Sequence, residues 1–148
     1  MKSKIYIIIG FVISIMTCYG QSSNQLNDLL NESLGKYMEN RQLDEAVFLQ
    51  DNFPLDFQFE KKAVDNYKIT FFDSSNYRKS ELKQGVKSFR LLPIVLKDNM
   101  LSITIASVFV SYEGSNVIIS SGDYVIYKYM YSCEKRLWEL LTIKGKGI

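Results

Sequence analysis

Histidine is absent from the 148 residues, and cysteine occurs only at Cys18 and Cys133. Without histidine there is no Ser-His-Asp triad, no Cys-His pair and no His-ligated metal site. Acid–base chemistry would therefore fall to an Asp, Glu, Lys or Tyr with a strongly displaced pKa. Proline is confined to Pro54 and Pro93, and each points to an edge or a bulge where it meets an extended segment. Gly-rich dinucleotide loops and D-x-D-x-D-G calcium loops are both missing, and no cofactor is expected. Past the first 20 residues no apolar run approaches the length of about 20 that a membrane span needs.

Those first 20 residues read as a secretory signal. Lys2 and Lys4 form a positive start, Ile5 to Met16 an apolar stretch, and the small residues Cys18 and Gly20 occupy the positions a signal peptidase reads. Cleavage after Gly20 would start the mature chain at Gln21 and leave one domain over 21–148. The alternative is a lipoprotein anchored through Cys18, although Ile15-Met16-Thr17 lacks the Gly or Ala usually found before such a cysteine. Export leaves Cys133 with no disulfide partner, which suits a bacterial envelope protein, periplasmic or extracellular. Cys133 itself is expected at a strand end as a small buried apolar residue. Asn31-Glu32-Ser33 matches a glycosylation acceptor, but within an expected helix it reads as chance.

Loss of Lys2 and Lys4 makes the mature chain neutral, with charge separated along it. Residues 21–60 carry a net charge of −6 and residues 61–97 a net charge of +6. Lys79, Lys83 and Lys87 would line one helical face, opposite Leu82, Val86 and Phe89, if that segment is helical. The preferred reading is a solvated face, and an anion-binding patch is the alternative. Nucleic acid is not an expected partner of a neutral, exported chain.

Apolar residues make up 47% of the chain and aromatics 14%, with ten Tyr and nine Phe, a balance that favours β-structure around an ordinary core. A capping box at Ser22 and Gln25 precedes Leu26, Leu30, Leu34, Tyr37 and Met38, which predicts a helix over 23–40. Phe53, Leu55, Phe57 and Phe59 alternate around Pro54 as a short edge strand would, and Tyr67 to Phe72 reads as a clearer strand. Residues 86–96 look extended, with Pro93 inside them, and the helix-to-strand boundary between Tyr77 and Leu96 stays open.

Asp98-Asn99 turns the chain into a long strand from Met100 to Tyr112. There the apolar positions switch parity from Leu101, Ile103 and Ile105 to Val108, Val110 and Tyr112, which predicts a bulge or bend near Ala106-Ser107. Ser121-Gly122 marks another bulge on the returning strand. A final strand runs from Leu137 to Ile143, anchored by Trp138, and the Lys144–Gly147 tail is expected to fray.

The order predicts an α+β fold: an N-terminal amphipathic helix packed on a bent antiparallel β-sheet, a meander or roll. Over residues 23–143, and chiefly in the bent Met100–Tyr112 strand and the last strand, this order resembles the cystatin-like and nuclear transport factor 2-like α+β rolls. The resemblance implies a concave sheet wrapped on a helix. It carries no motif and transfers no functional residue.

Motif matches fail on context. Ser80-Glu81-Leu82-Lys83 and Ser132-Cys133-Glu134-Lys135 both fit S-x-x-K, but no S-D-N or K-T-G partner exists. Tyr124 and Lys128 have the Y-x-x-x-K spacing, yet on a strand they stand about 13 Å apart. The acidic residues Asp28, Glu32, Glu39, Asp44 and Glu45 read as the wet side of the helix. What remains is a ladder at Tyr127, Tyr129 and Tyr131, sharing one side of a strand with Val125. It either covers the core or lines a recognition surface. The leading expectation is an exported, non-catalytic module that binds a small ligand or a protein through its concave sheet, with these three tyrosines as the ligand-binding residues. The alternatives are a small envelope hydrolase or isomerase using a buried carboxylate or Tyr, and an inhibitor of an envelope or secreted enzyme.

Overall fold

The computed structural model describes residues 22–59 and 67–146; the expected signal segment 1–20, with Cys18, lies outside them. Helix α1 (Ser22–Arg41) places Leu30, Leu34, Tyr37 and Met38 on the side that faces the sheet, and each is almost fully buried. Its end is closed by backbone geometry. Gln42 takes φ 51, its N–H reaches the Glu39 carbonyl at 3.0 Å, and the Leu43 N–H reaches the Met38 carbonyl at 3.0 Å. This six-to-one and five-to-two pairing satisfies two terminal carbonyls and turns the chain off the helix axis.

The strands that follow are β1 (Glu45–Leu49) and β2 (Lys68–Phe71). Next come a single turn of 3₁₀ helix at Ser74–Asn76 and the short helix α2 (Lys79–Gln84), and then β3 (Val86–Leu91) and β4 (Val95–Lys97). The remaining strands are β5 (Met100–Glu113), β6 (Asn116–Ser132) and β7 (Leu137–Lys146). They form one sheet in the order β2-β1-β3-β5-β6-β7, with β4 also paired to β5. The sheet curls into a half-barrel around α1, an α+β arrangement.

The sheet is mixed, which corrects the expected all-antiparallel sheet. From β3 onward it is an antiparallel meander, but β1 runs parallel to both neighbours, with Phe48 beside Phe71 on one flank and Phe89 on the other. Parallel neighbours need long crossovers, and the chain after Leu49 and after Phe71 supplies them. The edge strand expected around Pro54 does not form, and the strand lies earlier, at Glu45–Leu49. Phe53, Phe57 and Phe59 instead pack among themselves and against Phe48 and Phe71, with ring centroids 5.0–6.3 Å apart.

Helix α2 settles the open boundary. The Arg78 N–H donates to Glu81 at 2.7 Å at its start, and Gly85 ends it at φ 94, a conformation a side chain would resist. Lys87 therefore lies on β3, so Lys79, Lys83 and Lys87 do not share one helical face. Pro93 sits between β3 and β4 and interrupts the line, but both strands pair with β5. Two further expectations are corrected. Cys133 is exposed in the turn between β6 and β7, because four residues separate the paired Ser132 and Leu137. The chain from Lys144 to Lys146 is held as strand, with Lys146 beside Tyr124.

The register shift near Ala106 is present, but the parity switch on β5 has a different cause. β3 pairs with β5 without interruption from Val86↔Val110 to Leu91↔Ile105, so β5 keeps its alternation. The extra residue belongs to β6, where Gly122 and Asp123 together oppose Ser107. Leu101, Ile103 and Ile105 are buried on the concave side under α1. Val108 and Val110 are buried on the opposite side, and α2 is in contact with β5. The change of parity records which side is covered.

Candidate functional site: the cavity beyond the end of α1

α1 stops at Arg41 while the curled sheet continues, and the uncovered part of the concave side forms a cavity of about 360 Å³. Tyr37, Arg41 and Leu43 contribute from the helix end. Lys87 and Phe89 come from β3, Ser107 and Phe109 from β5, and Gly122 and Asp123 from the β6 bulge. The volume lies near the lower end of the usual 300–1,000 Å³ for ligand pockets.

The bulge aims Asp123 inward. The Asp123 N–H donates to Ser107 Oγ at 3.1 Å, and that hydroxyl donates to one oxygen of the Asp123 carboxylate. The other oxygen takes Arg41 Nη1 at 2.6 Å. The serine hydrogen bond is the largest effect on the Asp123 carboxyl; burial opposes it, and the hydrogen bond and charge of Arg41 add to it, so the carboxyl is held below its usual range. The Arg41 guanidinium stands 5.6 Å over the Tyr37 ring, which packs edge-on against Phe89 at 5.3 Å. Lys87 Nζ lies 5.9 Å over that same Phe89 ring.

Two of the lining residues carry polar atoms that are buried without a hydrogen-bond partner and closed to water: the Tyr37 hydroxyl, Arg41 Nε and Arg41 Nη2. Each such atom costs about 1–3 kcal/mol, more for a charged donor, so an acceptor placed among them is strongly favoured. Burial pushes the Tyr37 hydroxyl up to about 12, with Arg41 pulling the other way, so it is a donor at neutral pH. Tyr37 and Asp123 are thus displaced away from neutrality in opposite directions. That suits fixed hydrogen bonding better than proton transfer.

The three tyrosines of the β6 ladder meet different surroundings, and none of them is among the residues lining the cavity. Tyr127 is fully buried. Burial raises its pKa, Tyr37 adds to that, and the Asn40 side chain offsets part of it without closing a hydrogen bond to the hydroxyl. Tyr129 is fully buried with its hydroxyl 2.9 Å from Ser33 Oγ. Tyr131 is half-buried, edge-on to Trp138 at 5.3 Å. Sequence reasoning placed Tyr37 in the apolar pattern of the helix and did not single out Arg41 or Asp123. The usable signal was the Ser-Gly-Asp run at 121–123, since bulges gather beside functional sites.

Among the described residues no group of three or more His, Cys, Asp or Glu is placed to hold a metal ion, and no helix is long and apolar enough to cross a membrane. Comparison with protein-family models, curated proteins and solved structures gave no match.

Proposed function

We propose that this chain is a non-catalytic binding module that takes a small ligand into the concave space beyond α1. The observation that carries this reading is a cavity whose lining includes Tyr37 and Arg41, two residues with buried polar atoms that no protein group satisfies. Tyr127, whose hydroxyl feels both Tyr37 and Arg41, is the ladder residue best placed to support the site. Tyr129 and Tyr131 would act from further along β6, by fixing the strand. The reading includes export, as a periplasmic or extracellular protein, which rests on the first 20 residues and is checked by intact mass.

The test is a fragment titration of the uniformly ¹⁵N-labelled protein followed by amide chemical shifts. Saturable shifts are expected at Phe89, Ser107, Phe109, Gly122 and Asp123. Saturable shifts confined to other surfaces would end the cavity reading and move the search to protein partners.

A further inference from the structure

We propose that the ligand of this cavity is a monocarboxylate with an apolar body, its carboxylate seated on the free edge of Arg41 and on Tyr37. The inference rests on the cavity being a ligand seat and goes on to name the chemistry it selects.

Arg41 is fixed by one corner only. Its Nη1 is committed to Asp123 at 2.6 Å, and both oxygens of Asp123 are already occupied, one by Ser107 and one by Arg41. Asp123 therefore acts as a positioning residue. The two guanidinium atoms left without a partner, Nε and Nη2, carry N–H bonds that run parallel along one edge of the plane. That edge is the fork that meets the two oxygens of a carboxylate. The Tyr37 hydroxyl, on a residue only 1% exposed, is a third unpartnered donor in the same wall.

Charge and lining set the rest. Arg41 and Lys87 face the cavity against the single carboxylate of Asp123, so one further negative charge brings the lining to balance and a second would be repelled. Phe89, Phe109 and Leu43 supply an apolar wall for the body of the molecule. Nε, Nη2 and the Tyr37 hydroxyl are all closed to water in this conformation, so seating the anion requires the Arg41 side chain, 23% exposed, to turn about its outer torsions with Nη1 as the corner that stays on Asp123.

The test compares phenylacetate, phenylacetamide and phenyl phosphate, titrated into the labelled protein and into the Arg41→Lys and Lys87→Gln variants, with thermal unfolding confirming that each variant is folded. Phenylacetate is expected to shift the cavity amides saturably and to bind about tenfold more tightly than phenylacetamide. Arg41→Lys keeps the charge and loses the fork, so it should remove most of that preference, and Lys87→Gln should reduce it severalfold. Equal binding of acid and amide in the cavity would overturn the carboxylate inference and leave the binding reading standing. Tighter binding of phenyl phosphate would overturn the choice of a monoanion. Unchanged discrimination in Arg41→Lys would overturn the fork, and shifts from none of the three ligands would overturn both readings.

Discussion

Tyr127 and Tyr129 occupy successive inward positions on β6, yet their hydroxyls are not equivalent. Tyr129 closes a buried hydrogen bond with Ser33 at 2.9 Å, whereas the Tyr127 hydroxyl closes none. Replacing Tyr129 by Phe strands the Ser33 hydroxyl inside the core, softened by its ability to turn to its own helix, and should cost about 1 kcal/mol. Tyr127→Phe removes a hydroxyl with no bond to lose and should fall within about 0.5 kcal/mol of neutral. Chemical denaturation of the pair checks this, and equal losses would contradict it. Burial also raises the pKa of Tyr37, to about 12, and of Tyr127 and Tyr129. From pH 10 upward the unfolded chain releases these protons before the folded one does, so stability is intact below pH 10 and falls as pH rises through the folded values. Phenolate absorbance should therefore show the exposed tyrosines ionising first. The buried three should ionise only together with loss of the circular dichroism signal, and a single smooth titration of all tyrosines in the folded protein would refute their burial.

The β6 bulge is the element that joins fold and site. Gly122 is not in a left-handed conformation, so its need for glycine is steric: a Cβ there would run into Ser107 Oγ, the hydroxyl that holds Asp123. Gly122→Ala should cost about 1–3 kcal/mol and weaken the Arg41–Asp123 tie. Combined with Ser107→Ala, which clears the space, the loss should be clearly smaller than the sum of the two single changes. Strict additivity by thermal denaturation would mean that the clash is not the cause. Much of this element was legible in the sequence, because its signals are local. Asp98-Asn99, with φ 50 and 58, marks the turn into β5, and Gly114 at φ 65 marks the turn into β6. The location of the bulge was legible as well, in Ser121-Gly122 on β6 itself. The parity switch on β5 pointed to the same place for another reason, since that pattern changes where α1 stops covering the concave side, and strand periodicity carries no information about the helix.

At the scale of the whole molecule, the parallel pairing of β1 escaped the sequence reading because it depends on crossovers whose ends meet only in the folded chain. The cavity escaped it for a related reason: it exists where the helix is too short to cover the sheet, and no residue announces that. The same mismatch of lengths leaves β6 partly unpaired. β7 reaches only to Tyr124, so among the described residues the edge from Asn116 to Asp123 has β5 on one flank and no strand on the other. Val117, Ile118 and Ile119 stand there 38–52% exposed, and residues 114–122 contain no charged side chain. Natural edges are usually blunted by Lys, Pro or a covering loop, and residues 116–122 contain neither Lys nor Pro. The protein should therefore associate reversibly as its concentration rises. Val117→Lys places a charge on the edge at an exposed position and should suppress that association while moving folding stability by no more than about 0.5 kcal/mol. Sedimentation velocity over a concentration series distinguishes the outcomes: a shift towards monomer in the variant assigns the contact to the β5–β6 arm, and unchanged association in a folded variant would place it elsewhere on the molecule.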